Sequence, residues 1–195
     1  IVGELNSSKN SINLDYCKGS TIGYMKSGSV NVDYSSITVD KTETVKVNSD
    51  YSTLKFGDAK TITFNSDYGN ISIDQANSVT GNTDYVSVRL GKISKSLNLK
   101  SDYGSIKIKE LVKGFGKADI SAQYSSIAIG IYNTSNFDFV ADISFASFRY
   151  SKERLDMRKS ISKTTKKHYE GSYGKANNGS SLKIKSQFGS VNFKQ

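Results

Sequence analysis

Asp and Tyr stand side by side at six places: Asp15-Tyr16, Asp33-Tyr34, Asp50-Tyr51, Asp67-Tyr68, Asp84-Tyr85 and Asp102-Tyr103. The tyrosines are 18, 17, 17, 17 and 18 residues apart. A carboxylate that returns at so even an interval falls on one face of any structure repeating with the same period. In stacked strands about 4.8 Å apart, such a row has the oxygen donors to hold Ca²⁺ or Mg²⁺. It could also act as an acid and base set against a polysaccharide. The row gives way to Gln123 and Ser144 in later copies, and the Gly-Gly-x-Gly-x-Asp repeat of calcium-binding β-rolls is absent. Turn chemistry, an Asp bonding the backbone of a chain reversal, is therefore the expectation, with no metal and no cofactor.

The tyrosines admit two uses. A row of rings offers faces on which sugars stack, or the rings pack inside or over a corner, each on the ring of the next repeat. Phe145 and Phe188 take the same place in later copies, so the hydroxyl is dispensable and packing is expected.

The third feature is cationic. Arg149, Lys152, Arg154, Arg158, Lys159, Lys163, Lys166 and Lys167 outweigh Glu153, Asp156 and Glu170 in the same stretch. These eight residues are the candidate ligand site, for an acidic glycan or another surface polyanion held by charge. The alternative is a solvated face whose lysines keep a sheet-rich protein soluble. A basic groove with interleaved aromatics also resembles a single-stranded nucleic-acid site, but these aromatics keep the spacing of the repeat, so no specific nucleic acid is expected. Nucleophilic catalysis has little footing: His168 is the sole histidine, with no Ser or Cys partner pattern, and no phosphate-binding glycine loop occurs. No catalytic residue is assigned and the chain is read as not an enzyme. Cys17 is the one cysteine. It makes no intramolecular disulfide, reads as a small buried residue, and rules out a cysteine zinc site by count.

These residues need elements to place them, and the repeat supplies the elements. With the aromatic as position zero, the residue four before it is hydrophobic in nine of ten copies (Ile12, Val30, Val47, Phe64, Leu99, Ile120, Ala141, Tyr169 and Ile184, with Gly81 the exception). The residue three after it is hydrophobic in nine of ten as well, where composition alone gives 36%. The ten copies are the six Asp-Tyr pairs and the weaker ones at Tyr124, Phe145, Tyr173 and Phe188. Apolar residues alternate before the aromatic (Ile62, Phe64) and again, one residue out of phase, after it (Ile71, Ile73). Alternation marks strands, and the change of phase marks a bend. One repeat is then strand, corner, strand, turn. Hairpin meanders do not demand the same residue at the same offset, whereas parallel stacking does, because each position lies on its counterpart. The expected fold is an all-β parallel β-helix, a β-solenoid with rungs of about 17–21 residues, forming one domain over 1–195.

Two departures are expected. Residues 149–180 lose the alternation and read as an irregular basic excursion, with a short helical turn within Ser151–Ser160. Residues 181–195 restore the repeat as a terminal strand rung or cap. Composition agrees with a strand-rich chain: 12 Tyr, no Trp, no Pro and 16 Gly. Net charge is +9 and mean hydropathy -0.46, so the core must be narrow. No apolar run is long enough to be a transmembrane segment. The chain opens at Ile1 without Met or an apolar leader, and so reads as processed or trimmed.

The units NSDYSTLKF, NSDYGNISI and KSDYGSIKI, with the closing QFGSVNF, resemble adhesin families of Bacteroidetes, domains of unknown function described as auto-transporter adhesin-like head domains. The resemblance spans about residues 28–148 and 181–195 and lies in the repeat, not in a catalytic motif. It implies a single-stranded, right-handed β-helix, export, and a place at the cell surface, on the outer membrane or in the periplasm. The function expected is a non-enzymatic, adhesin-like binding or spacer module. The alternatives are a structural protein that polymerises end to end and, third, a carbohydrate-active enzyme on the same scaffold.

Overall fold

The computed structural model describes residues 1–132, 134–177 and 179–194, and these contain strands and turns but no helix. The strands are β1 (Val2–Leu5), β2 (Asn10–Asp15), β3 (Ser20–Asp33), β4 (Ser36–Asp102), β5 (Ser105–Leu111), β6 (Lys117–Gln123), β7 (Ser126–Gly130), β8 (Phe137–Ser144), β9 (Ser147–Arg149), β10 (Leu155–Ser162), β11 (Lys166–Tyr173), β12 (Ser181–Gln187) and β13 (Ser190–Lys194). They belong to one curled, mixed sheet. Its path runs β10-β11-β8-β12-β6 into β4, then back out through β5-β7-β13-β9. The long β4 thus joins two walls.

Register follows the repeat. β3 pairs parallel with β4 seventeen residues on, Val30 with Val47 and Asp33 with Asp50. β4 pairs with β5 eighteen residues on, Val88 with Ile106. Inside β4 the same interval sets Tyr51 on Tyr68 and Ser49 against Ser66. The inward positions of both walls share one core, including Val47, Phe56, Phe64, Ile71, Ile106, Ile120 and Ile184. Gly81, the gap in its apolar column, is explained by volume: a Cβ there would lie 2.3 Å from the Phe64 ring.

Every ladder aromatic from Tyr16 to Tyr124, with Phe145 and Phe188, has φ between 47° and 56°. That left-handed backbone costs a non-glycine residue about 1–2 kcal/mol. It makes the corner, and it shifts the inward phase by one residue. Serine hydroxyls bond the corner backbone. Ser35 Oγ donates to Asp33 O at 2.6 Å and accepts from Cys17 N at 2.8 Å, and Ser52 Oγ repeats the pattern on Asp50 O (2.7 Å) and Ser35 N (3.1 Å). Cys17 itself is half-buried at the first corner, not enclosed in the core, because that rung has no neighbour on its outer side among the described residues.

Four expectations change. Pairing is not parallel throughout: β11 runs antiparallel to both β8 and β10, since a tight turn can return a strand only antiparallel. No helical turn forms within 151–160; a turn there leads into β10, whose Leu155 and Met157 pack against the core. Tyr173 is not a corner aromatic, because β11 leaves the parallel register; it is buried, with its ring 5.9 Å from that of Phe137. The last copy in the chain is also not last in space. β12 lies between β6 and β8, with Ile184 paired to both Ile120 and Ala141, and β13 lies between β7 and β9.

Candidate functional site: a docked basic hairpin

The β10–β11 hairpin carries most of the basic stretch, and polar contacts tie it to the body. Arg158 sits at a bulge between Met157 and Lys159, and its Nη1 donates to Asp138 Oδ1 at 2.9 Å. Asp138 Oδ2 accepts the Asn177 N–H at 2.8 Å. Lys159 meets Glu170 at 3.3 Å. Arg154, itself at φ 59°, reaches Tyr132 O and Ser135 O, both at 3.3 Å, and lies 5.7 Å from the centre of the Tyr173 ring. Arg154 and Arg158 hold the hairpin to the body, and the Lys159–Glu170 pair ties its two strands together.

His168 fastens the hairpin again. It faces Asp142 across the β11–β8 pairing; its Nδ1 lies 2.6 Å from Asp142 Oδ1 and its Nε2 2.5 Å from Glu170 Oε1. Bonds to Asp142 and then Glu170 raise the imidazole above its ordinary range, against partial burial. Bonds from His168 and then Lys159 hold Glu170 below the usual carboxylate range.

Arg149, Lys152, Lys163, Lys166 and Lys167 remain, and none of them has an ion pair among the described residues. Lys163, Lys166 and Lys167 gather at the hairpin tip, where Lys163 N bonds Lys166 O at 2.9 Å. The tip is seated on the corner of the neighbouring rung: Phe145 N–H donates to Thr165 O at 2.8 Å. Phe145 is the last ring of the aromatic ladder, 56% exposed and 4.9 Å from Phe188. The expected site therefore divides into two cations that anchor the hairpin, Lys159 that pairs within it, and five with no ion pair among the described residues. Phe145 is marked by the repeat, but Asp138 and Asp142, which also place the hairpin, have no sequence spacing that would announce them.

The ladder covers a corner on the outside of the fold. From Tyr16 to Tyr124, then Phe188 and Phe145, neighbouring rings stack face to face at 4.8–5.1 Å. Between the end rings Tyr16 and Phe145, broad faces contact one another and only edges meet solvent, so the ladder is not an extended platform for flat ligands. Beside it, Asn31, Asn48 and Asn65 form a second outward row, each amide donating to the one before at 2.7, 3.1 and 3.4 Å. The Asp row lies between the two. Asp67 is held above the usual carboxylate range by burial, then by the Asp50 and Asp84 charges. Among the described residues no group of three or more His, Cys, Asp or Glu is arranged to hold a metal ion. Among the described residues no helix is long and apolar enough to cross a membrane. Comparison with known proteins gives no match: no family model, no curated protein and no solved structure corresponds to the chain.

Proposed function

We propose that the chain is a non-enzymatic β-solenoid that serves as an adhesin-like binding or spacer module of an exported, surface or periplasmic protein. Its hairpin tip takes an acidic glycan. The observation that carries this reading is the division of cations on the hairpin: Arg154 and Arg158 bond the body and Lys159 pairs within the hairpin, while Lys163, Lys166 and Lys167, at the turn whose Thr165 O accepts the Phe145 N–H, have no ion pair among the described residues. Unpaired cations on a turn bonded to the Phe145 corner suit a sugar bearing carboxylate or sulfate groups. The solenoid reading rests on the 17- and 18-residue parallel register and the core shared by two walls. End-to-end polymerisation is weakened because the edge beyond β8 is formed by the antiparallel hairpin and not by a strand in the parallel register of the repeat. An enzyme is weakened because the Asp residues run in a row and do not converge.

Retention on immobilised heparin across a salt gradient tests the proposal. Wild type should elute later than a Lys163→Gln, Lys166→Gln, Lys167→Gln variant, and its retention should fall steeply as salt screens the charges. Coincident elution of the two proteins would contradict it.

A further inference from the structure

A second basic surface lies away from the hairpin tip, on the wall built by β4, β5, β7 and β13. A groove of about 500 Å³ there is lined by Arg89, Lys107, Lys109 and Lys194, with Asp74 the one acid. Arg89 faces Lys107 across the β4–β5 pairing, and Lys107 faces Ala128 across β5–β7. Two residues further along the strands, Lys194 faces Gly130. None of the four cations has an ion pair among the described residues.

The bare floor is dictated by the backbone. A Cβ on Gly130 would lie 2.0 Å from Lys109 O, and one on Gly91 would lie 1.9 Å from Asp74 O. No side chain fits at either place, so Lys109 and Lys194 flank an empty rung, about 9.6 Å apart as two strand spacings. Ala128 keeps the next row shallow, and Tyr132, 41% exposed, forms a wall.

We infer that this groove binds an acidic glycan lying along the stacking direction. The C–H face of a sugar ring would rest on Gly91, Ala128, Gly130 and the Tyr132 ring. Carboxylate or sulfate groups would meet cations one and two rungs apart on both sides of that floor. Charge complementarity selects an anion, and the low apolar floor selects a saturated ring over a compact ion. A single-stranded nucleic acid fits less well, because it needs several free aromatic faces. The groove offers Tyr132 alone, and the ladder rings already contact one another. This inference goes beyond the hairpin reading and does not depend on it.

The test is an amide-resolved NMR titration of the Lys163→Gln, Lys166→Gln, Lys167→Gln variant with a heparin hexasaccharide. Gly91, Ala128 and Gly130 should shift. Adding Arg89→Gln and Lys109→Gln, both exposed changes, should weaken that binding about tenfold or more, and Ala128→Glu should abolish it. Absence of shifts at the three floor residues would overturn the proposal, as would equal shifts with an oligo-dT or with inorganic sulfate. The hairpin reading fails separately, if wild type shows no additional shifts at Thr165 and His168.

Discussion

His168 Nδ1 lies 2.6 Å from Asp142 Oδ1, joining the basic hairpin to the strand on which it docks. The ring's other nitrogen is bonded to Glu170, so both nitrogens face carboxylates and the geometry favours the doubly protonated imidazolium. The folded-state pKa is raised, with Asp142 the first cause and Glu170 the second. The stabilisation is thus fully present below the unfolded histidine value of about 6.5 and is lost as pH rises through the higher folded value. Lys185 pairs with Asp142 from β12, and Lys159 bonds Glu170, so both carboxylates also face a lysine.

Thermal melts at steps from pH 5 to pH 9 should therefore show wild type losing its advantage over His168→Gln as pH rises above the ordinary histidine range. At pH 5 the variant should be less stable by about 1–3 kcal/mol, the scale for hydrogen bonds to charged groups. A constant difference at all pH values would mean that the ring's charge does not matter to docking.

At Tyr68 a left-handed backbone, φ 54°, opposes stacking on two neighbours at 4.8 Å. Alanine loses the stacking and keeps the backbone strain, whereas glycine loses the stacking and removes the strain. Tyr68→Gly should therefore be milder than Tyr68→Ala by about 1 kcal/mol in denaturant unfolding. Equal midpoints would show that the corner holds no strain.

Asp67 stands between like charges, and its carboxyl is held above the usual range by burial and then by Asp50 and Asp84. A raised folded pKa means that the ionised form is disfavoured in the native state, so the cost is present at neutral pH and is relieved as pH falls through the folded value. Asp67→Asn should stabilise the protein at pH 7 by on the order of 0.5 kcal/mol for an exposed row, read as a higher melting temperature, and change little at pH 3. A fall at pH 7 would mean that the carboxylate has an attractive partner.

The parts of this fold that were legible in sequence are those fixed by a repeating backbone. Each rung places its Asp, Tyr and inward Ile or Val on those of the next, so one-dimensional spacing carries three-dimensional position from Asn10 to Gln123. Legibility stops where a contact has no period. Asp142 and His168 are 26 residues apart and meet only because β11 turns back on β8. Tyr173 has apolar residues at the repeat's offsets, Tyr169 and Ala176, yet it lies in an antiparallel strand, so its place in the series was coincidental. The groove was hidden for another reason: its glycines look like corner residues, and Lys194 joins it only through the pairing of β13 with β7.

That pairing and the seat of the hairpin both depend on the last copy of the repeat being inserted between rungs that precede it in the chain. Inter-strand NOEs measured at Lys185 test this most directly. The account predicts contacts from Lys185 to Ser121 on one side and to Asp142 on the other, with Ser121 and Asp142 giving none to each other. Direct contacts between Ser121 and Asp142, with Lys185 touching only one of them or neither, would contradict it.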